Sequence, residues 1–270
     1  MKNRFKGYYF RHQNNSQTVA FIPGESEDGA FIQVITDKLS RRYDFPRAEF
    51  GKEIKIGASR FGKDGITLRL PDITGSIKYR DTTPISSDIM GIFRFFPMEC
   101  RHTVVSMRHS LSGSVMIDGE EYNFSQGIGY IEGDSGRSFP KKYLWLHAND
   151  FPDGSSIMLS VADIPFYGLS FDGVICVLMY CGREYRLATY YGAKAEIKGS
   201  NIIIRQGKYR LTVNVLSNGD GHRLSSPQNG RMSGIIKEHN NACIHIEFSK
   251  SGKMICELFS SRAGFEVFPK

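Results

Sequence analysis

No apolar run in this chain approaches the roughly 20 residues that a membrane-spanning helix needs, which excludes a helical membrane protein. There is no CxxC pair. The five cysteines, Cys100, Cys176, Cys181, Cys243 and Cys256, are odd in number and widely spaced, against a disulfide framework or a zinc knuckle. The opening residues, Met1 to Phe10, lack the apolar core of a secretory signal, so a reducing, cytoplasmic setting is expected. The GxxxxGK[ST], HExxH and GxSxG patterns are missing. Gly127-Ile128-Gly129 precedes an expected strand rather than a helix, so it is no dinucleotide fingerprint. Seven scattered histidines give no metal-ligand spacing. No metal and no cofactor are therefore expected.

Dense charge of one sign is also missing. Lys and Arg total 35 against 28 Asp and Glu, a net +7, and the longest basic runs, such as Arg41-Arg42 and Lys141-Lys142, are two residues long. This reads as a solvated surface, and no nucleic-acid partner is expected. Attraction to an anionic membrane surface stays open, and would serve a lipophilic substrate.

What the sequence does have is aromatic residues, 19 Phe and 13 Tyr, with 28 Gly. Apolar patterns of helical period are scarce, and turn residues recur about every 8 to 12 positions, the spacing of an all-β protein. Expected strands include Gly7–His12, Thr18–Pro23, Ala30–Thr36, Cys100–His109, Gly113–Ile117, Tyr143–Asn149, Ser156–Ile164 and Cys243–Phe248. Asp118-Gly119, Cys181-Gly182 and Ser251-Gly252 are hairpin turns by composition. Roughly twenty short strands exceed what one twisted sheet holds. Two domains are expected, residues 1–126 and 127–270.

Along Tyr143–Asn149, one face of a strand carries Tyr143, Trp145, His147 and Asn149, and the other Leu144, Leu146 and Ala148. Neither face is formally charged, so both are expected to be shielded from water.

The stretch Asp118-Gly119-Glu120-Glu121-Tyr122-Asn123-Phe124 leads into Tyr130-Ile131-Glu132-Gly133-Asp134-Ser135-Gly136-Arg137-Ser138-Phe139-Pro140-Lys141-Lys142-Tyr143-Leu144-Trp145 and on to Asn149. This resembles the tocopherol cyclase family, whose plant members carry an acidic residue, a Gly-rich bend, Phe-Pro-basic-Lys, then Trp and Asn on one strand. Phe5-Lys6-Gly7-Tyr8-Tyr9-Phe10 is similar to the family's opening segment, and His102 and Met107 fall where it has a His and a Met. Ser135 replaces a Trp of the plant enzymes, and His147-Ala148 replaces Gln-Cys, so the match is to a bacterial-type relative.

The resemblance implies two tandem lipocalin-like (calycin-type) β-barrels. It also implies a cofactor-free reaction, in which the phenol oxygen of a prenylated quinol adds across the first double bond of its own tail to give a chromanol. Such chemistry needs an acid for the alkene, a dry pocket and aromatic faces beside the cation. Glu132 and Asp134 are the candidate acids, or else solvated turn carboxylates or partners of Arg137. His102 and His147 are each a candidate proton relay or hydrogen-bonding group for a quinol hydroxyl, or else a satisfied core histidine. Arg137, Tyr143, Trp145, His147, Asn149, Tyr9 and Tyr191 are candidate substrate contacts, with core packing the other reading for the aromatic residues. The competing function is a non-catalytic module that holds a hydrophobic small molecule, which the loss of Trp at Ser135 favours.

Overall fold

The computed structural model describes residues 3–166, 169–219 and 221–268. The chain is all-β, with 12 strands in one antiparallel sheet and 10 in a second among the described residues. The first sheet holds β1 (Phe5–Gln13), β2 (Thr18–Ser26), β3 (Gly29–Thr36), β4 (Ser40–Phe45), β5 (Glu49–Phe50), β6 (Ile54–Ile56), β7 (Ser59–Gly62), β8 (Gly65–Arg69), β9 (Ile73–Arg80), β10 (Cys100–Ile117), β11 (Glu120–Asn123) and β12 (Ile128–Gly136). The second holds β13 (Tyr143–Ala148), β14 (Ser156–Phe166), β15 (Leu169–Tyr180), β16 (Arg183–Ala188), β17 (Lys194–Lys198), β18 (Asn201–Gln206), β19 (Tyr209–Ser217), β20 (Gly221–Gln228), β21 (Arg231–Lys250) and β22 (Lys253–Phe268).

Most neighbours are joined by short hairpins, and the turn chemistry explains why. Asp118-Gly119, Cys181-Gly182 and Ser251-Gly252 all have positive φ at both central residues, the geometry whose twist matches the flanking strands. The first sheet runs β4-β3-β2-β1-β12-β10-β9-β8-β7-β6-β5, with β11 paired to β10. Its non-local step is the insertion of β12 between β1 and β10.

Cys100–His109 and Gly113–Ile117, expected as two strands, form the single strand β10. Register shifts between Val104 and His109 mark bulges that reset which residues face inward. Further on, Gly113 has φ +120°, and a Cβ there would lie 2.3 Å from the Ser76 carbonyl oxygen of β9. Gly113→Ala combines a left-handed-side backbone with a clash against main chain, and is expected to destabilise by about 2 kcal/mol or more. Urea unfolding checks this, and an unchanged midpoint would refute it.

By their contacts the residues fall into two compact units. The first comprises residues 1–84, 99–139 and 224–235; the second comprises 85–98, 140–223 and 236–270. The division follows Phe139, not residue 126, because β12 pairs with β1 and β10 and so belongs to the first unit. Leu224–Ile235 also joins that unit. Gln33 of β3 clamps Ser225, its Nε2 donating to the Ser225 carbonyl (3.0 Å) and its Oε1 accepting from the Ser225 N–H (2.8 Å).

The first unit's core includes Phe10, Phe21, Ile32, Phe61, Val115, Phe124 and Ile131. The second unit's core includes Leu144, Leu146, Ile157, Cys176, Ile204, Ile244 and Phe248. Each fully buried side chain of this kind contributes about 1.5–3 kcal/mol of transfer free energy.

Candidate active site

In the first unit, β12 has two unlike faces. Toward the core it carries Ile131 between Gly129 and Gly133. A Cβ at Gly129 would strike the His109 ring and one at Gly133 the Tyr8 ring, so the glycines make room for packed rings. The opposite face carries Tyr130, Glu132 and Asp134 at the two-residue period of a strand. Glu132 and Asp134 are thus strand residues. The solvated-turn reading fails because Glu132 is only 5% exposed.

Pairing brings further groups to this face. Tyr9 of β1 lies directly across from Glu132, and Arg11, 1% exposed, across from Tyr130. His102 of β10 lies across from Asp134. The His102 ring is held between two carboxylates, with Nδ1 3.0 Å from Asp134 Oδ1 and Nε2 3.2 Å from Glu132 Oε2. The Tyr130 hydroxyl donates to Glu132 Oε2 at 2.5 Å, and the Cys100 thiol lies 3.6 Å from Asp134 Oδ1.

Burial alone would lower the pKa of His102, but the charges of Glu132 and Asp134 outweigh it and hold the imidazole well above its usual range. The two carboxylates thus favour the protonated form of the His102 ring that lies between them. Burial, reinforced by the same carboxylates, pushes the Tyr130 hydroxyl and the Cys100 thiol up, so both stay protonated. Tyr130, Glu132, His102 and Asp134 thus stand in one row along this face, joined by the Tyr130–Glu132 and His102–Asp134 hydrogen bonds.

The ligand atoms of His102, Glu132 and Asp134 lie within 4.8 Å of one another, as do those of His245, Glu247 and Glu257 in the second unit. Sequence spacing hid both groupings, since each joins residues from neighbouring strands. In the first, the two ring nitrogens of His102 face different carboxylates.

Arg137 is no partner of the array's carboxylates. It is exposed and enters no ion pair among the described residues; His102 takes that part instead.

The second unit gathers the other expected residues. Leu144, Leu146 and Ala148 of β13 face its core, and Tyr143, Trp145 and His147 line the reverse face, also buried. The Trp145 and His147 rings stack with centroids 6.5 Å apart, and Asn149 follows at 1% exposure. The Tyr143 hydroxyl donates to Glu266 Oε2 of β22 at 2.7 Å, and Glu266 pairs with Glu238 of β21. Tyr191 stands apart, 60% exposed on the turn Thr189–Tyr191, and does not join them.

Tyr130, Arg11, Cys100, Glu238 and Glu266 were missed in the sequence. Tyr130-x-Glu132-x-Asp134 and Tyr9-x-Arg11-x-Gln13 carried the signal: polar groups at strand period flanked by apolar or glycine positions.

The tocopherol cyclase-like family matches residues 72–268. No curated protein matches the sequence. Among solved structures, CghA is similar at a TM-score of 0.65, and CghA with Sch210972 at 0.64, each with 10% identity over 98% of this chain and 88% of the other. Kievitone hydratase from Nectria haematococca is similar at 0.54, with 9% identity over 98% of this chain and 88% of the other. At these identities the likeness is one of fold.

Proposed function

The chain belongs to the tocopherol cyclase-like family, and from that premise we propose that it is a cofactor-free ring-closing enzyme acting on a prenylated quinol or a related isoprenoid phenol. The observation that carries this reading is the His102 ring held between the buried Glu132 and the half-buried Asp134. Hydration and ring closure share one step, proton delivery to a carbon–carbon double bond, and differ in whether water or the substrate's own hydroxyl captures the cation. A fold shared with a hydratase is consistent with that chemistry.

In this mechanism the array starts with a proton on one of its two carboxyls. Glu132 or Asp134 delivers that proton to the less substituted alkene carbon, forming a C–H bond. The tertiary cation left behind is stabilised by the array's negative charge and by aromatic faces such as Tyr9. The phenol oxygen then forms the C–O bond, its O–H bond breaks, and the proton returns to the array. Nothing is oxidised or reduced, and the array ends as it began. The same reading takes each sheet as a lipocalin-like barrel, supported by the run of sequential antiparallel hairpins.

The test is to incubate the protein with a prenylated quinol in D2O between pH 5 and 8. One deuterium is expected at the newly protonated carbon of the chromanol. Absence of any chromanol across that range would sink the cyclase reading, and binding of the quinol without turnover would leave a ligand-holding module in its place.

A further inference from the structure

In the second unit, residues 86–96 form a bend that leads into a 3-10 helix, Gly91–Phe95, and is held at many points. The Arg186 guanidinium donates to the carbonyls of Ser87 (2.9 Å) and Asp88 (3.0 Å) and to Ser87 Oγ (2.9 Å). Glu184 Oε2 accepts from the Ser86 N–H at 2.6 Å, and the Tyr190 hydroxyl donates to the Ile89 carbonyl at 2.9 Å. Ile89 and Met90 are buried. Gly91 has φ +54° and lies flat on the Tyr190 ring, where a Cβ would come within 2.6 Å of it. The Phe93 ring packs near Tyr190 (6.2 Å) and Phe171 (6.1 Å).

This anchoring holds apolar side chains out in water. Phe95 is 75% exposed, Ile92 57% and Phe96 40%. The Arg94 guanidinium lies over the Phe95 ring at 4.6 Å. From Ile89 to Met98 there is no carboxylate. A floppy loop could fold such groups inward, but this backbone is fixed by hydrogen bonds, so their exposure is built in.

The area decides the kind of partner. Three side chains of this size offer on the order of 400 Å², short of the roughly 600 Å² that each partner buries in even a small stable protein–protein interface. A bilayer surface needs no matched area: each apolar group enters the headgroup boundary separately, aromatic rings favour that depth, and a neighbouring cation meets anionic lipid.

We propose that Ile92, Phe95 and Phe96, with Arg94 between them, form a docking surface for an anionic lipid bilayer. This goes beyond the ring-closing reading and does not depend on it, because its readout is vesicle binding rather than turnover.

The experiment is flotation of the full chain with phosphatidylcholine vesicles and with phosphatidylcholine–phosphatidylglycerol vesicles at 3:1. Binding to the anionic vesicles is expected, weakened about tenfold or more in Ile92→Ser/Phe95→Ser and several-fold in Arg94→Gln or at high salt. Both sets of changes are on exposed side chains, and near-UV circular dichroism verifies the fold. Failure of the parent to float, or unchanged flotation of the double variant, overturns the proposal. So does a change from dimer to monomer in sedimentation on making the double variant with no effect on flotation, since the surface would then bind a second copy of this chain.

Discussion

Glu132→Gln should lower ring closure by about two to four orders of magnitude, the usual worth of a positioned proton-transfer group. The amide keeps the volume of Glu132 and still offers an oxygen to the Tyr130 hydroxyl, which now meets Oε2 at 2.5 Å. It removes the charge and the transferable proton. It also takes away one of the two carboxylates that hold His102 protonated, so the imidazole should titrate lower, visible in its ring proton shifts. Asp134→Asn should lower the same titration while leaving Glu132 able to deliver a proton. Losing one partner of a buried ion pair costs stability too, by up to about 3–5 kcal/mol. Activity must therefore be compared at a temperature where the variants remain folded. Lys38→Ala, which breaks a surface pair with Glu120, is the control and should leave turnover unchanged. A folded Glu132→Gln protein that retains turnover within tenfold of the parent would remove Glu132 from the chemistry.

Much of the fold was legible because it is local. Alternation and turn composition mark strands wherever neighbours in sequence are neighbours in the sheet, as in the three two-residue hairpins. The domain boundary was not legible, because it depends on β12 finding β1, more than a hundred residues earlier. Nothing in Ile128–Gly136 names that partner. The same long-range pairing hid the nature of Glu132 and Asp134. Four glycines between Gly127 and Gly136 suggest a bend, yet Gly129 and Gly133 are there to admit the rings of His109 and Tyr8.

The site divides in the same way. Residue type and resemblance pointed to His102, Glu132 and Asp134, but their mutual contact rests on a cross-strand register that no spacing encodes. Trp145 and His147 could be placed on one buried face because that face lies on a single strand. Tyr191 and Arg137 were chosen with no register to place them, and both are exposed.

Acid should unfold the first unit sooner than its carboxylates alone would require. His12 and His109 lie inside it, both against Tyr79. His12 Nε2 is 2.5 Å from the Tyr79 hydroxyl, the Tyr79 and His109 rings stand 4.4 Å apart, and His109 Nδ1 is 3.1 Å from Ser106 Oγ. Burial, with repulsion from His109 next, brings His12 down to about 3; burial, with Arg108 next, brings His109 to about 3. Both are neutral in the folded protein near pH 7. Because their folded pKa values are depressed, their stabilising effect is present above the unfolded value of about 6.5. It is lost as pH falls from there toward 3, since only the unfolded chain takes up the protons. His102 acts in the opposite sense: its stabilisation is fully present below about 6.5 and fades only as pH rises through its raised folded value, so it adds no slope on the acid side. Two protons at up to about 1.4 kcal/mol per pH unit each give a loss of about 4 kcal/mol between pH 7.5 and 5. Urea midpoints at pH 7.5, 6 and 5 would measure it, and His109→Gln, whose amide can still meet Ser106, should halve the slope. Should that variant fail to fold, the ring signals of His12 and His109 in the parent report the same quantity, remaining those of neutral imidazole at pH 5. A flat midpoint from pH 7.5 to 5, or rings that protonate near pH 6.5 in the folded state, would refute the burial argument.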